Sequence, residues 1–330
     1  MKTSFVIPVK NDARRLARCL DSLPKGSSEG EVETVVVDNG SIDDSADVAR
    51  RHGALVLEVP EKRVSELRNL AAAKASGTLL AFVDADHELG QGWLAAAATG
   101  MKDSSVGAVG ATCLPPPGGT WVQEMYGHLR GRTIGRHDVG WLGAGNMVVR
   151  RTAFEQVGGF DAALEACEDV DLCRRLVGVG WRIVADENLV NVHLGDPATL
   201  RALFRGERWR GRDNLRVSLR GPVSPRDLPS ILTPIVVLAA LITIVASPGC
   251  LLLNLSPWRI SATSAILITG LTALRTARMA SRGRRIGPVF LMRAFVVALT
   301  YDLARAIALV SRAGHHRRID AAPALGRASR

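Results

Sequence analysis

Thr78-Leu79-Leu80-Ala81-Phe82-Val83-Asp84-Ala85-Asp86 is the stretch whose reading decides the fold. An unbroken apolar run followed by an abrupt pair of acids reads as a strand buried on both faces, as in a parallel sheet. Asp84 and Asp86 then stand at the C-terminal end of that strand. This is the edge where open α/β sheets bind ligands. Two carboxylates so close, with no Lys or Arg beside them, repel each other, and a divalent cation relieves the repulsion. Mg2+ or Mn2+ suits oxygen ligands and keeps positions open for substrate phosphates. The competing reading is a pair of solvated turn acids before a helix, so the flanking chain must decide.

The chain has 330 residues and is 47% hydrophobic, which favours a soluble domain plus a further module. Its net charge of +10 suits nucleic acid, an anionic membrane surface or a phosphorylated substrate. Location narrows the choice. Arginine-rich runs at 201–220 and 275–285 flank the most apolar part of the chain, which is a membrane pattern. Aromatics make up only 5%, too few for a base-stacking platform, so no nucleic-acid partner is expected. Cys19, Cys113, Cys167, Cys173 and Cys250 form no Cys-x-x-Cys pair and read as reduced thiols of a cytosolic domain. No signal peptide precedes the first strand, so the N-terminal domain is expected in the cytoplasm.

Strands and helices alternate through the first half. Residues 4–9 read as a strand ending at Pro8-Val9-Lys10, and Asn11 or Asp12 caps a helix carrying Leu16, Leu20 and Leu23. Residues 33–37 form a second strand ending at Asp38, with Ser41 or Asp43 capping the next helix. Residues 54–59, a helix over 64–75 and the strand 79–83 follow. Such alternation implies parallel pairing and right-handed crossovers, hence a doubly wound or nearly doubly wound sheet. Pro115-Pro116-Pro117-Gly118-Gly119 breaks the pattern, and the chain to Gly143 reads as a loop or short helix lining a site. Residues 146–150 are a strand, Thr152-Ala153-Phe154-Glu155 reads as a capping box, and Glu168-Asp169-Val170-Asp171 opens a helix. Residues 181–185 and 189–193 are short strands.

Composition changes at Leu228. Residues 231–245 carry no charge, and the apolar character continues to Leu255, long enough to cross a bilayer. Residues 260–274 form a second uncharged segment. A third, 288–310, carries Arg293, Asp302 and Arg305. It either spans, with Asp302 and Arg305 paired inside a bundle, or lies along the surface. The expected organisation is a catalytic domain over 1–220, a membrane region of two or three helices over 228–311, and a basic, disordered tail over 312–330.

Asp38, Asp84, Asp86, Glu168-Asp169 and His193 are the chemistry-bearing groups. A carboxylate at the sheet edge can accept a pyrimidine N–H, a metal beside Asp84 or Asp86 can neutralise a diphosphate, and a carboxylate at Asp169 can take a proton from an attacking hydroxyl. Together they suit displacement at a sugar carbon with a nucleoside diphosphate as leaving group.

In order and spacing, a series of motifs resembles the family 2 glycosyltransferases of the GT-A fold. They are Phe5-Val6-Ile7-Pro8-Val9-Lys10-Asn11, Val36-Val37-Asp38-Asn39-Gly40-Ser41, Arg68-Asn69, Phe82-Val83-Asp84-Ala85-Asp86, Gly143-Ala144-Gly145-Asn146-Met147, Gly158-Gly159-Phe160-Asp161 and Glu168-Asp169-Val170-Asp171-Leu172. The resemblance covers residues 1–215. It implies a Rossmann-like, mostly parallel α/β domain followed by C-terminal transmembrane helices. It implies a nucleotide-sugar donor, UDP-sugar favoured, held by Pro8, Val9, Asn11, Asp38, Arg68, Asp84, Ala85 and Asp86. Asp86 and His193 would ligate Mg2+ or Mn2+. Asp169 would be the general base of an inverting transfer, supported by Glu168, with Asp171 orienting the helix. Gly145 and Asn146 would shape the acceptor side. Asn39 departs from the pattern, because many relatives carry a second acid there, and this loosens the base preference.

Arg205-Gly206-Glu207-Arg208-Trp209 resembles the Gln-x-x-Arg-Trp signature of membrane-embedded polysaccharide synthases, with Arg205 where Gln is usual. That likeness implies acceptor-side roles for Arg208 and Trp209. The alternative is an amphipathic basic helix on the membrane. The expected activity is sugar transfer to a lipid, lipid-linked glycan or polysaccharide at the cytoplasmic face of the cell membrane. Transfer to polyprenyl phosphate and a non-catalytic scaffold of a glycan assembly complex are the alternatives.

Overall fold

The computed structural model of the chain describes residues 1–25, 30–221, 223, 225, 227–248, 256–283 and 286–311. The first part alternates as the apolar runs dictate: β1 (Thr3–Val9), α1 (Ala13–Ser22), β2 (Val32–Asp38), α2 (Ser45–Arg51), β3 (Leu55–Glu58), α3 (Val64–Lys74) and β4 (Leu79–Val83). These strands pair in parallel in the order β3-β2-β1-β4. The register sets Val9 beside Asp38 and Val6 beside Phe82, so the strands end at one edge. Every residue of β4 is buried. Because strand side chains alternate, Leu79, Ala81 and Val83 enter the core on one face and Leu80 and Phe82 the core on the other. Phe82 meets Phe160 edge-on with ring centroids 4.9 Å apart. Burying one such ring contributes about 1.5–3 kcal/mol.

The chain continues through β5 (His87–Leu89), α4 (Trp93–Gly100), β6 (Val106–Gly110), α5 (Trp121–Arg130), β7 (Arg136–Asp138), β8 (Asn146–Arg150), α6 (Arg151–Gln156), α7 (Glu168–Gly178), β9 (Arg182–Asp186) and β10 (Asn191–His193). The full sheet runs β3-β2-β1-β4-β8-β6-β9-β7. It is mostly parallel but mixed. β8 is antiparallel to β4 and β6, and β7 is antiparallel to β9. After β7 the chain returns to the C-terminal edge by Gly145, so β8 enters the sheet from that edge and must run backwards. That reversal sets Asn146 opposite Val83. β5 and β10 form a separate antiparallel ribbon with His87 opposite His193.

Local details differ from the sequence expectation. The 115–143 stretch contains the ten-residue α5, whose capping box joins Thr120 and Gln123. The box expected at Thr152 does not form, because α6 already begins at Arg151. The Arg151 guanidinium instead donates to the carbonyls of Ala72, Ala75 and Gly77 at the end of α3. Helix α2 starts after Asp44, and Asp43 caps it as expected, its Oδ1 accepting from Ser45 N–H at 3.1 Å. Asp43 accepts from Ala13 N–H at the start of α1, tying the first two helices together.

The C-terminal part holds α8 (Leu200–Arg210), α9 (Asn214–Ser218), α10 (Leu228–Ala246), α11 (Pro257–Ala280) and α12 (Pro288–Ala308). Helices α10 and α11 are long and apolar enough to cross a membrane. Helix α12 packs Ala294, Val297 and Ala298 against Leu203 of α8 and Val122, Met125 and Tyr126 of α5. The expected pairing of Asp302 with Arg305 does not occur. The two side chains leave α12 towards different neighbours: Asp302 meets Arg275 of α11 at 2.7 Å, and Arg305 meets Glu207 of α8 at 2.8 Å. The expected tail 312–330, the continuation 249–255 and Cys250 lie outside the described residues.

Asn146, expected on the acceptor side, is instead fully buried scaffold. Its Oδ1 accepts from Trp93 Nε1 at 2.8 Å, and its Nδ2 donates to the carbonyls of Leu189 at 2.8 Å and Ala111 at 3.2 Å. Asn146→Ala strands all three partners in the core. Leaving such groups unpaired costs about 1–3 kcal/mol each, so the thermal midpoint of the purified protein should fall by several degrees.

Candidate active site

The site grows from the shared edge of β1, β2 and β4. Asp38, at the end of β2, is buried, and one of its oxygens accepts from the N–H and hydroxyl of Ser41. Asn11 takes a left-handed backbone (φ 52°) and accepts from Ile42 N–H at 2.7 Å. Asn39 closes the neighbouring loop by exchanging two hydrogen bonds with the Lys62 backbone. Pro8 is half-buried and Val9 buried at this same end of β1 and β2.

Arg68 comes from α3. It is only 3% exposed. One terminal nitrogen donates to Asp84 at 2.7 Å and the other to Glu168 at 2.5 Å. Burial works against the Asp84 charge, but Arg68 and His87 outweigh it and hold the carboxyl below its usual range. The guanidinium read from sequence as a nucleoside contact thus clamps the end of β4 to the start of α7. Ala85 is buried between the two acids of the motif.

Helix α7 begins after Cys167, which adopts φ 61°. The following Glu168 is held by Arg68, and Asp169 turns to the other side. Asp169 accepts from Val170 N–H at 2.8 Å and Ala144 N–H at 3.4 Å, facing the loop that leads into β8. Burial and the charge of Glu168 push its carboxyl up to about 7. A carboxylate so tuned titrates where a general base is most effective. Asp171 is taken by Arg175 and Arg220, as expected of a helix-orienting acid.

Asp86 forms a second cluster. His193 Nε2 lies 3.2 Å from one of its oxygens, and His87 Nε2 lies 3.7 Å from the other. Burial would raise the Asp86 carboxyl, yet His193, His87 and Arg15 hold it far below the usual range. The other ring nitrogen of His193 meets Asp196 at 2.7 Å, and Asp196 is gripped by both terminal nitrogens of Arg130. Burial disfavours the His193 charge, but Asp86 and Asp196 prevail and push it up to about 9. Asp86, His87 and His193 can each present one ligand atom within 4.8 Å of the others. A carboxylate with two imidazoles fits a divalent transition metal. The Asp196 contact is the carboxylate–histidine support that such ligands usually have.

Neither His87, Asp196 nor Arg130 was picked out from sequence. His87 had a signal, its place directly after Asp86. Asp196 and Arg130 join only when β10 and α5 come together. Gly145 is placed against the site, and a Cβ there would lie 2.5 Å from His87 Cε1 and 2.9 Å from Asp84 Oδ2. Arg208 and Trp209 are exposed on α8, whereas Glu207 between those faces is wholly buried.

Residues 4–158 match the sequence model of Glycosyl transferase family 2. This is a family 2 glycosyltransferase domain. Glycosyltransferase AglE of Haloferax volcanii is 27% identical over 207 residues, covering 59% of this chain and 67% of the relative. Pre-mycofactocin glycosyltransferase of Mycobacterium tuberculosis is 30% identical over 193 residues, covering 54% of this chain but only 40% of the relative. The fold is shared with mannosyltransferase PcManGT from Pyrobaculum calidifontis, solved in complex with GDP-Man and Mn2+. That likeness has a TM-score of 0.59 at 19% identity and covers 93% of this chain and 86% of that one. In the glycosyltransferase domain the family match contains Asp38, Arg68, Asp84 and Asp86 and ends before α7.

Arg68→Met leaves Glu168 and Asp84 without their shared cation. Breaking a buried pair in this way costs about 3–5 kcal/mol. Thermal unfolding of the purified protein should show that loss, and Arg68→Lys should recover only part of it because an ammonium cannot bridge both acids.

Proposed function

We propose that this chain is an inverting, metal-dependent glycosyltransferase that moves a sugar from a nucleoside diphosphate, uridine favoured, to a hydroxyl of a membrane-associated acceptor. The observation that carries this reading is the Arg68 bridge. It ties the residue before Asp169 to the residue two before Asp86, which supports reading a base and a cation site at one edge of the sheet. Pro8, Val9, Asn11 and Asp38 line the nucleoside side, and the second oxygen of Asp38 is offered to a ring N–H. Asp86 and His193 hold the divalent ion, with His87 in reach. The imidazoles suit Mn2+ better than Mg2+. When bound, such an ion offsets the charge of the departing diphosphate.

Asp169 takes the proton of the acceptor hydroxyl. The acceptor oxygen bonds to the anomeric carbon as the bond to diphosphate breaks on the far face, so configuration inverts. Gly145 borders this side, and Arg208 and Trp209 are the exposed groups of α8 offered to the acceptor. A membrane acceptor is supported by two contacts on one carbonyl. Arg305 of α12 and the Cys167 thiol both donate to the Arg210 carbonyl, at 3.3 and 3.4 Å. Asp169 is two residues from Cys167, whose thiol shares this carbonyl with Arg305 of α12. The arginines at the end of α11 (Arg275, Arg278 and Arg282) match the basic character of cytoplasmic membrane faces.

Asp169→Asn should lower kcat about 10²- to 10⁴-fold while a fluorescent nucleotide-sugar analogue still binds. Retained turnover would remove Asp169 as the base. Because the base must be ionised, wild-type kcat/KM should fall about tenfold per pH unit below about 7, and level off above it. Asp86→Ala should weaken Mn2+ binding, followed by the electron paramagnetic resonance of free Mn2+. Unchanged binding there would move the cation elsewhere.

A further inference from the structure

The arginine run at 201–220 reads in the sequence as a membrane flank, yet its second half is turned onto the chain that leads into α7. Arg212 pairs with Glu165 at 2.9 Å, Arg216 donates to the Ala163 carbonyl at 3.3 Å, and Arg220 meets both Asp161 and Asp171 at 2.7 Å. All of these partners lie between residues 161 and 171, around Asp169. The segment needs such holding. Leu164 and Ala166 are buried, and Cys167 takes a left-handed backbone (φ 61°) that a residue with a side chain keeps only under constraint.

Asp213 acts on the two residues directly before that turn. It stands at the N-cap place of α9 but caps nothing there. An aspartate at such a place usually accepts from the first N–H groups of its own helix. Here one carboxylate oxygen instead accepts from Glu165 N–H at 2.8 Å and from Ala166 N–H at 3.2 Å. Two successive amides on one oxygen fix the orientation of the peptide between them. The corner that carries Asp213 is itself anchored. Gly211 lies so close to α12 that a Cβ there would come within 2.6 Å of the Ala308 Cβ. The Arg210 carbonyl accepts from the Cys167 thiol and ties the corner to the turn a second time. On the other side, Ser65 and Asn69 of α3 hold Leu164 and Phe160 by their backbones.

We infer that Asp213 is a positioning residue for Asp169. By holding the Glu165 and Ala166 amides it fixes the turn at Cys167. That turn sends Glu168 to Arg68 and leaves Asp169 facing Ala144 N–H. Asp213 acts through the backbone and takes no part in the chemistry itself. The inference rests on the reading of Asp169 as the base. Without this clamp the start of α7 loosens and Asp169 becomes more hydrated. Burial, with the charge of Glu168 beside it, raises the Asp169 carboxyl to about 7 against the pull of Arg68 from α3. Hydration weakens both raising effects, so the carboxyl then falls towards its ordinary range.

The test assays the full chain, supplied with a lipid extract of the expressing cells. It follows nucleoside diphosphate released from the uridine or guanosine diphosphate sugar that the wild type turns over fastest. In Asp213→Ala the acceptor oxygen is absent, in Asp213→Ser it is drawn back, and in Asp213→Asn it is kept. Asp213→Ala should lower the plateau kcat about 10- to 100-fold and leave KM for the nucleotide sugar unchanged. The acid limb of its pH profile should move about one pH unit below the wild-type position near 7. Asp213→Asn should recover most of the plateau, and Asp213→Ser should fall between the two. A wild-type kcat in Asp213→Ala, or a lowered kcat whose acid limb stays in place, would overturn the inference and leave Asp169 as the base. If Asp213→Ala does not fold, Asp213→Ser is compared with Asp213→Asn, and identical profiles there overturn it. Turnover retained in Asp169→Asn would remove the base and this inference together.

Discussion

A single buried guanidinium holds this structure in register. Arg68 comes from α3, takes Asp84 from the end of β4 and takes Glu168 from the start of α7. Each of those acids sits in a place where an unpaired charge would be costly. Without the cation between them, Asp84, Glu168 and Asp169 would repel, and β4 and α7 would have no reason to end at the same point. Arginine is suited to this because its planar fork serves two carboxylates at once and stays ionised under burial. Asp169 is defined by what Arg68 does not reach. Burial and the charge of the neighbouring Glu168 raise its carboxyl, against the opposing pull of Arg68.

The second constraint is close approach of backbone to carboxylate. A Cβ at Gly195 would collide with Asp86 Oδ2, and one at Gly145 with His87 and Asp84. Loops from two different strands therefore cover the acids with bare backbone. The antiparallel direction of β8 is what delivers Gly145 to that spot, and the β5–β10 ribbon is what delivers Gly195 and His193.

Much of this was legible in the sequence wherever one residue's neighbours in the chain carry the information. The apolar run ending in Asp84-Ala85-Asp86 announced β4 and the edge at which it stops. Asp38 and the acids opening α7 stood out for the same reason. Features that depend on distant partners did not. Periodicity cannot give strand direction, so the reversed run of β8 could not be read from residues 146–150. β5 has three residues and no pattern to detect. Asn146 sits in a motif suggestive of a pocket, yet its amide is consumed by a Trp and two carbonyls from separate elements. Asp302 and Arg305 are one turn apart and look like a pair, but each faces a different helix. The support of His193 by Asp196 and Arg130 joins residues 63 or more positions apart at one end of the relay, beyond any local reading.

The antiparallel placement of β8 also shapes how the chain comes off the ribosome. β1, β2, β3 and β4 are complete once Val83 has been made, but the free edge of β4 pairs only with Asn146–Arg150. At about 5–20 residues per second, synthesis of the intervening chain takes roughly 3–13 s. Through that interval a wholly apolar strand presents an unpaired edge to the cell, a template for wrong pairing. The nascent protein is therefore most in need of a chaperone after the first four strands have formed and before the fifth partner of the sheet arrives.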